Sequence, residues 1–285
     1  MSPDLTSIAD DKAPPGITIP SLLLRLGTGL FYGAVMFAGF WFGTIPTGIL
    51  LGVFAGAAAG EFYAMARADA RLPNEIFGIA TATSMPVAAA LWGISGMTWV
   101  ITVLVFGSLV WHVLYRRMRT VDTAITLLGA AYIGFLLGYF VLITRTFTAG
   151  RYMALVLLAS VWAADVFAYL FGSLFGKHRL VPHISPKKSW EGFAAGTIAT
   201  IGVWVASVCL GIVPGLGISQ GASLGFVVAV AALAGDLIES RIKREAGIKD
   251  SGSAFPGHGG FFDRVDSLIL VGVVAYWAFT WMGMK

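Results

Sequence analysis

The sequence predicts an all-α, polytopic integral membrane protein, on three observations. Its 285 residues are 57% hydrophobic and only 12% charged, with a mean hydropathy of +0.82. Apolar runs of about 20 residues recur along the chain, each enough to cross about 30 Å of hydrocarbon at about 1.5 Å per residue. The cations fall almost entirely on alternate connections between those runs. One soluble core is excluded, because too little polar surface is present to cover it. Helices are the spanning element, since lipid cannot satisfy an open backbone. Cys209 is the only cysteine, which excludes a disulfide framework and a cysteine-based zinc site.

Residues 1–21 form a polar, proline-bearing cytoplasmic tail without the basic start of a secretory signal, so the first span is expected to stay uncleaved. Nine spans follow, at 22–43, 45–66, 75–95, 97–115, 123–144, 152–174, 191–213, 221–240 and 266–283. They divide into an N-terminal bundle over 22–150 and a C-terminal catalytic region over 151–285, whose cytoplasmic loops 175–190 and 241–265 are long and polar. Span two carries Gly52, Gly56 and Gly60, a double G-x-x-x-G that lets helix backbones approach closely, within one subunit or at a dimer seam. Placing the N-terminus in the cytoplasm puts 16 cations on that side, from Lys12 to Arg264, and leaves Arg145, Arg151 and Lys285 on the other. This bias orients the chain N-in and C-out. The net charge of +4 then belongs to loops facing anionic headgroups and implies no nucleic-acid partner.

Polar chemistry concentrates between Ser240 and Asp266. Asp236, Glu239, Ser240 and Lys243 share one helix face at i, i+3, i+4 and i+7. A carboxylate near a helix C-terminus needs a cation, either a divalent metal or an ion pair with Lys243. Asp263 and Asp266 stand at the start of span nine, where capping is the competing reading. Antiparallel spans eight and nine bring Asp236 and Asp263 to one depth, as a magnesium and phosphate site requires. Arg244, Lys249 and Arg264 can neutralise phosphate, and Gly257, Gly259 and Gly260 around His258 permit close backbone approach. His258 itself fits a phosphate contact or a structural hydrogen bond. Ser185, Lys187, Lys188 and Ser189 precede a helix start and suit an anion, with Ser189 as N-cap the alternative. Asp165 and Glu61 are intramembrane carboxylates, hence functional candidates. Asp165 is favoured for the site, and Glu61 stays undecided.

These residues resemble the phosphatidate cytidylyltransferase (CDP-diacylglycerol synthase) family. The family pattern is filled by Ser240, Lys243, Arg244, Lys249, Asp250, Gly252, Pro256, His258, Gly259, Gly260, Asp263, Arg264 and Asp266. D-x-x-A-Y-x-x-G from Asp165, S-P-K-K-S-W-E-G from Ser185 and G-D-L-x-E-S from Gly235 add to it. The resemblance covers the C-terminal region; the first five spans share only hydropathy. It implies transfer of CMP from CTP (or dCTP) to phosphatidate, magnesium with potassium as a second ion, a homodimer, and an active site on the cytoplasmic face of a bacterial-type inner membrane. Carried over, Asp236 and Asp263, with Glu239, are the expected metal ligands. Asp165, Lys243 and Asp266 are expected to act in catalysis. Ser185, Lys187, Lys188, Ser189, Arg244, Lys249, His258, Gly259, Gly260 and Arg264 are expected to contact substrate. The residues alone leave open a CTP-dependent kinase or cytidylyltransferase acting on an isoprenoid lipid. An ion-coupled transporter fits less well, because the polar residues gather at one membrane face and not at the midplane of inverted repeats.

Overall fold

The structure, a computed structural model, describes residues 19–255 and 259–284; most of the polar tail and His258 lie outside the described residues. Its helices are α1 (Ile19–Trp41), α2 (Thr44–Ala68), α3 (Glu75–Leu114), α4 (Thr120–Gly129), α5 (Leu136–Thr146), α6 (Gly150–Phe175), α7 (Trp190–Cys209), α8 (Ile218–Glu245) and α9 (Phe262–Trp281). A π-helical stretch, Ala130–Phe135, joins α4 to α5 as one rod over Thr120–Thr146. The protein is therefore an all-α membrane protein, with six helical segments long and apolar enough to cross a bilayer. Helix α9 opens with Asp263, Arg264 and Asp266 and falls outside that set among the described residues.

Helix α3 has 40 residues, about 60 Å if straight and twice the hydrocarbon thickness. It is not straight. Gly93 adopts φ 66°, ψ −149°, a backbone that residues with a Cβ rarely tolerate. Beyond it the chain doubles back: a Cβ on Gly96 would meet the Ala88 carbonyl oxygen at 2.5 Å, and one on Gly107 would meet the Phe77 ring at 2.6 Å. In a straight helix Gly107 and Phe77 would stand about 45 Å apart. The two arms of α3 are thus antiparallel, hinged three residues before the break expected at 96.

Long-range contacts sort the connections to two ends of the bundle. Arg145 donates to the Ala90 carbonyl at 2.6 Å and Arg151 to that of Trp41 at 3.2 Å. At the other end the buried Asp122 accepts from Leu72 N and Thr126 accepts from Asn74 N. The Gly52–Gly56 face of α2 packs on Thr83 and Val87 of α3, so its close approach serves packing within the subunit. Phe40, Phe140, Trp204 and Phe279 fill the interior, while Trp99, Phe106, Tyr169 and Ile198 point outward. An apolar exterior this extensive suits a lipid solvent.

One departure from an all-α chain lies in the loop over 175–190. There β1 (Arg179–Val181) and β2 (Ser185–Ser189) form an antiparallel hairpin, pairing Arg179 with Ser189 and Val181 with Ser185.

Candidate active site

The four C-terminal helices enclose a cavity of about 1010 Å³. Asp165 reaches it from α6, Asp236 from α8, and Asp263, Arg264 and Asp266 from α9. The hairpin adds Arg179, Lys187, Lys188 and Ser189, and Tyr32 of α1 completes one wall. Convergence begins with backbone contact. A Cβ on Gly235 would overlap the Asp266 carbonyl oxygen and lie 3.1 Å from Ser267 Cα. Helices α8 and α9 therefore touch main chain to main chain, which sets Asp236 opposite Asp266.

Asp236, Glu239 and Asp266 each offer a carboxylate oxygen within 4.8 Å of the others. Glu239 is 1% exposed; its Oε2 takes the Lys243 ammonium at 2.7 Å, while its Oε1 has no hydrogen-bond partner. Asp165 lines the same cavity as Asp236 and Asp266. A buried carboxylate oxygen without a donor is costly, and crowded acids compound the cost unless a cation is shared. Hard oxygen donors at this spacing fit a small divalent cation. The protein's own cations are close by. Lys188 Nζ lies 2.5 Å from Asp236 Oδ2, and Arg264 has a buried Nε without a hydrogen-bond partner.

A second network adjoins this one and is saturated. Lys243, buried, spans Glu239 and Asp263, reaching Asp263 Oδ1 at 2.5 Å. Asp263 Oδ2 accepts from Ser251 N at 3.0 Å and Gly260 N at 2.8 Å, with Ser251 Oγ 2.9 Å away. Glu61 of α2 accepts from Phe261 N and Phe262 N, both at 2.9 Å; the Ser251 hydroxyl, 2.7 Å from Glu61 Oε2, has one proton and donates to Glu61 or to Asp263, not to both at once.

Comparison with known proteins decides the family. The profile of the Cytidylyltransferase family matches residues 23–282. The chain belongs to the cytidylyltransferase family. It is 48% identical over 132 residues to the phosphatidate cytidylyltransferase of Mycobacterium leprae (strain TN), covering 45% of this chain and 40% of that protein. It is 38% identical over 156 residues to that of Staphylococcus haemolyticus (strain JCSC1435), covering 55% and 58%. With phosphatidate cytidylyltransferase 4, chloroplastic, of Arabidopsis thaliana it shares 44% over 130 residues, covering 45% and 32%. The chain thus spans 32–58% of the length of these relatives.

In this member of the family the residues singled out from sequence separate by place. Asp165, Asp236, Asp263, Arg264, Asp266, Lys187, Lys188 and Ser189 share the cavity. Asp263, expected beside Asp236 as a metal ligand, stands outside the three-carboxylate set, with both oxygens engaged by Lys243 and loop donors. Lys243, expected in catalysis, is likewise held between two carboxylates. Ser189 caps α7, its Oγ accepting from Gly192 N at 3.2 Å, and Ser185 pairs with Val181 away from the cavity lining. Arg244 ties α8 to the hairpin through the Ile184 carbonyl at 3.5 Å, and Lys249 is exposed. Gly259 (φ +82°) and Gly260 abut the acids: added Cβ atoms would overlap Asp263 and Glu61 respectively. His258 lies outside the described residues.

Sequence reasoning missed Tyr32, Arg179 and Ser251. Ser251 falls inside the motif, directly after Asp250, and could have been found there. Tyr32, whose hydroxyl donates to the Arg264 carbonyl at 2.9 Å, sits in a span readable only by hydropathy.

Proposed function

We propose that this cytidylyltransferase transfers CMP from CTP to phosphatidate, giving CDP-diacylglycerol and pyrophosphate. The observation that carries this reading is a trio of carboxylates in a family member: Asp236 and Asp266 line the cavity beside Lys188 and Arg264, and buried Glu239, with one oxygen unpartnered, lies against them. A phosphatidate oxygen attacks the α-phosphorus of CTP as the bond to the pyrophosphate oxygen breaks. The nucleophile is already anionic at neutral pH, so no strong base is needed. The obstacle is repulsion between two polyanions, and catalysis consists mainly of alignment and charge cancellation. Lys187, Lys188, Arg179 and Arg264 line the cavity and supply that positive charge. Lys188 can move from Asp236 to a phosphate oxygen without leaving the cavity wall. Asp236, Glu239 and Asp266 would hold magnesium, which supplies Lewis-acid stabilisation of the charge on the reacting phosphates. Asp165 adds a fourth carboxylate to the same wall. Potassium as a second ion and a homodimer rest on the family resemblance.

The nine-span, N-in and C-out topology belongs to the same reading. It is supported by the reversal at Gly93, which divides α3 into two arms, and by the cation bias between connections. The site then faces the cytoplasm, where CTP is available, with phosphatidate arriving from the inner leaflet. In a Cys209→Ser background, a thiol introduced as Gly247→Cys should label from the cytoplasmic side and Met284→Cys from the opposite side.

The activity test uses purified full-length chain with CTP labelled at either the α- or the γ-phosphate. Phosphatidate and an isoprenoid lipid phosphate are offered separately, with and without magnesium. The α-label should enter phosphatidate only when magnesium is present. Entry of the γ-label into lipid, or preference for the isoprenoid acceptor, would overturn the proposal.

A further inference from the structure

We propose that Glu61, on α2 and far from the motif in sequence, is a positioning residue for the transfer reaction. Through the α8–α9 loop it fixes Asp263 and the start of α9, and thereby Lys243, Arg264 and Asp266. The inference rests on the function proposed above.

The first N–H groups of a helix have no acceptor within it. At α9 the residue before the helix is Phe261, which has no side chain able to cap. Glu61 takes that place from another helix: Oε1 accepts from Phe261 N and Oε2 from Phe262 N, each at 2.9 Å. A carboxylate at a helix N-terminus is favoured by the helix dipole as well as by these bonds. Ser251 links the two acids with its two donors, the hydroxyl toward Glu61 at 2.7 Å and the backbone N–H to Asp263 at 3.0 Å. Gly260 leaves room for this arrangement, because a Cβ there would overlap the Glu61 carboxylate. From Asp263 the chain of contacts runs to Lys243 at 2.5 Å and on to Glu239 at 2.7 Å. Glu61 is not among the residues that line the cavity, yet it and Asp263 supply the carboxylates that hold the amides leading into α9, while Tyr32 and the Gly235 backbone brace the same turn at Arg264 and Asp266.

The test uses the full-length chain in detergent, comparing wild type with Glu61→Ala, Glu61→Gln and Asp122→Asn. Asp122 is a fully buried carboxylate of α4 bonded to Leu72 N and Arg119, away from the loop, and serves as a matched structural control. Glu61→Ala should lower kcat about 10²-fold, the cost expected when reacting groups are misplaced by about 1 Å. KM for CTP should change little, and amide exchange at Phe261 and Phe262 should accelerate. Glu61→Gln keeps an acceptor for one of the two amides and should fall between wild type and Glu61→Ala; it also carries the test should Glu61→Ala fail to fold. Asp122→Asn should lower the unfolding temperature while leaving kcat per folded molecule and exchange in the loop as in wild type. The proposal is overturned if either Glu61 variant keeps wild-type kcat, if kcat falls only in step with unfolding temperature, or if exchange at Phe261 and Phe262 does not change. A wild-type chain that transfers no CMP would refute the proposed reaction, and the exchange measurements would still judge the positioning role.

Discussion

Two groups of carboxylates meet at the junction of α8 and α9, and they differ in how fully they are partnered. Glu61 and Asp263 have both oxygens occupied by backbone amides, Ser251 and Lys243. Asp236, Glu239 and Asp266 crowd together with one buried oxygen unpaired and a mobile-type partner, the long side chain of Lys188, on another. Residue type and motif membership do not separate the groups, since Asp263 and Asp266 are three residues apart on one helix. Donor supply does. We propose that the saturated acids hold structure in place and that the unsaturated ones, Asp236 and Asp266 on the cavity wall with Glu239 against them, are open to a ligand.

The largest expected effect falls on the unsaturated group. Asp236→Asn or Asp266→Asn should reduce CMP transfer by about 10³-fold or more, the scale of losing several kcal/mol of charge stabilisation. The unfolding temperature should hold or rise, because a repelling charge has been removed. A large drop in stability would erase the distinction between the groups. Asp263→Asn tests the saturated side. Leaving Lys243 with one partner in a buried pair should cost about 3 kcal/mol of stability, and activity should fall with it. Loss of activity at unchanged unfolding temperature would make Asp263 a metal ligand, as the sequence reading expects.

Smaller effects refine the boundary on the hairpin. Lys187→Gln with Lys188→Gln should raise KM for CTP by about tenfold, more than KM for phosphatidate, as expected for charge-assisted phosphate contacts. A shift only in membrane orientation would assign both lysines to topology. Ser189→Ala removes the α7 cap and should cost about 1 kcal/mol in thermal or denaturant unfolding. A loss of CTP affinity exceeding that cost would give the hydroxyl a substrate contact as well.

The apolar, helical character of the chain, and the placement of acids on α6, α8 and α9, were legible because hydrophobic runs and helical spacing act over short distances. Asp236 and Glu239 could be placed on one face from their i, i+3 relation alone. The division between Asp263 and Asp266 was not legible, since it depends on loop amides and on a lysine held from another helix. Glu61 stood out as an intramembrane acid, but its partners lie about 200 residues downstream. The hairpin was hidden for a different reason. Its strands are three and five residues long, and S-P-K-K-S has no alternating apolar pattern to mark it. The sequence reading ends one span at 95 and begins the next at 97; only the backbone angle locates the reversal at Gly93.

Position 235 shows how the width of the site is gauged. With hydrogen as its side chain, Gly235 lets α9 rest against α8, and a single methyl group would collide with main chain, which cannot rotate aside. The spacing between opposing acids is thereby fixed by the thickness of two backbones. Longer or shorter acidic side chains could shift an oxygen, but nothing at 235 larger than hydrogen leaves the gap unchanged. The tightest mechanical tolerance of a site made of charges thus belongs to a residue that carries none.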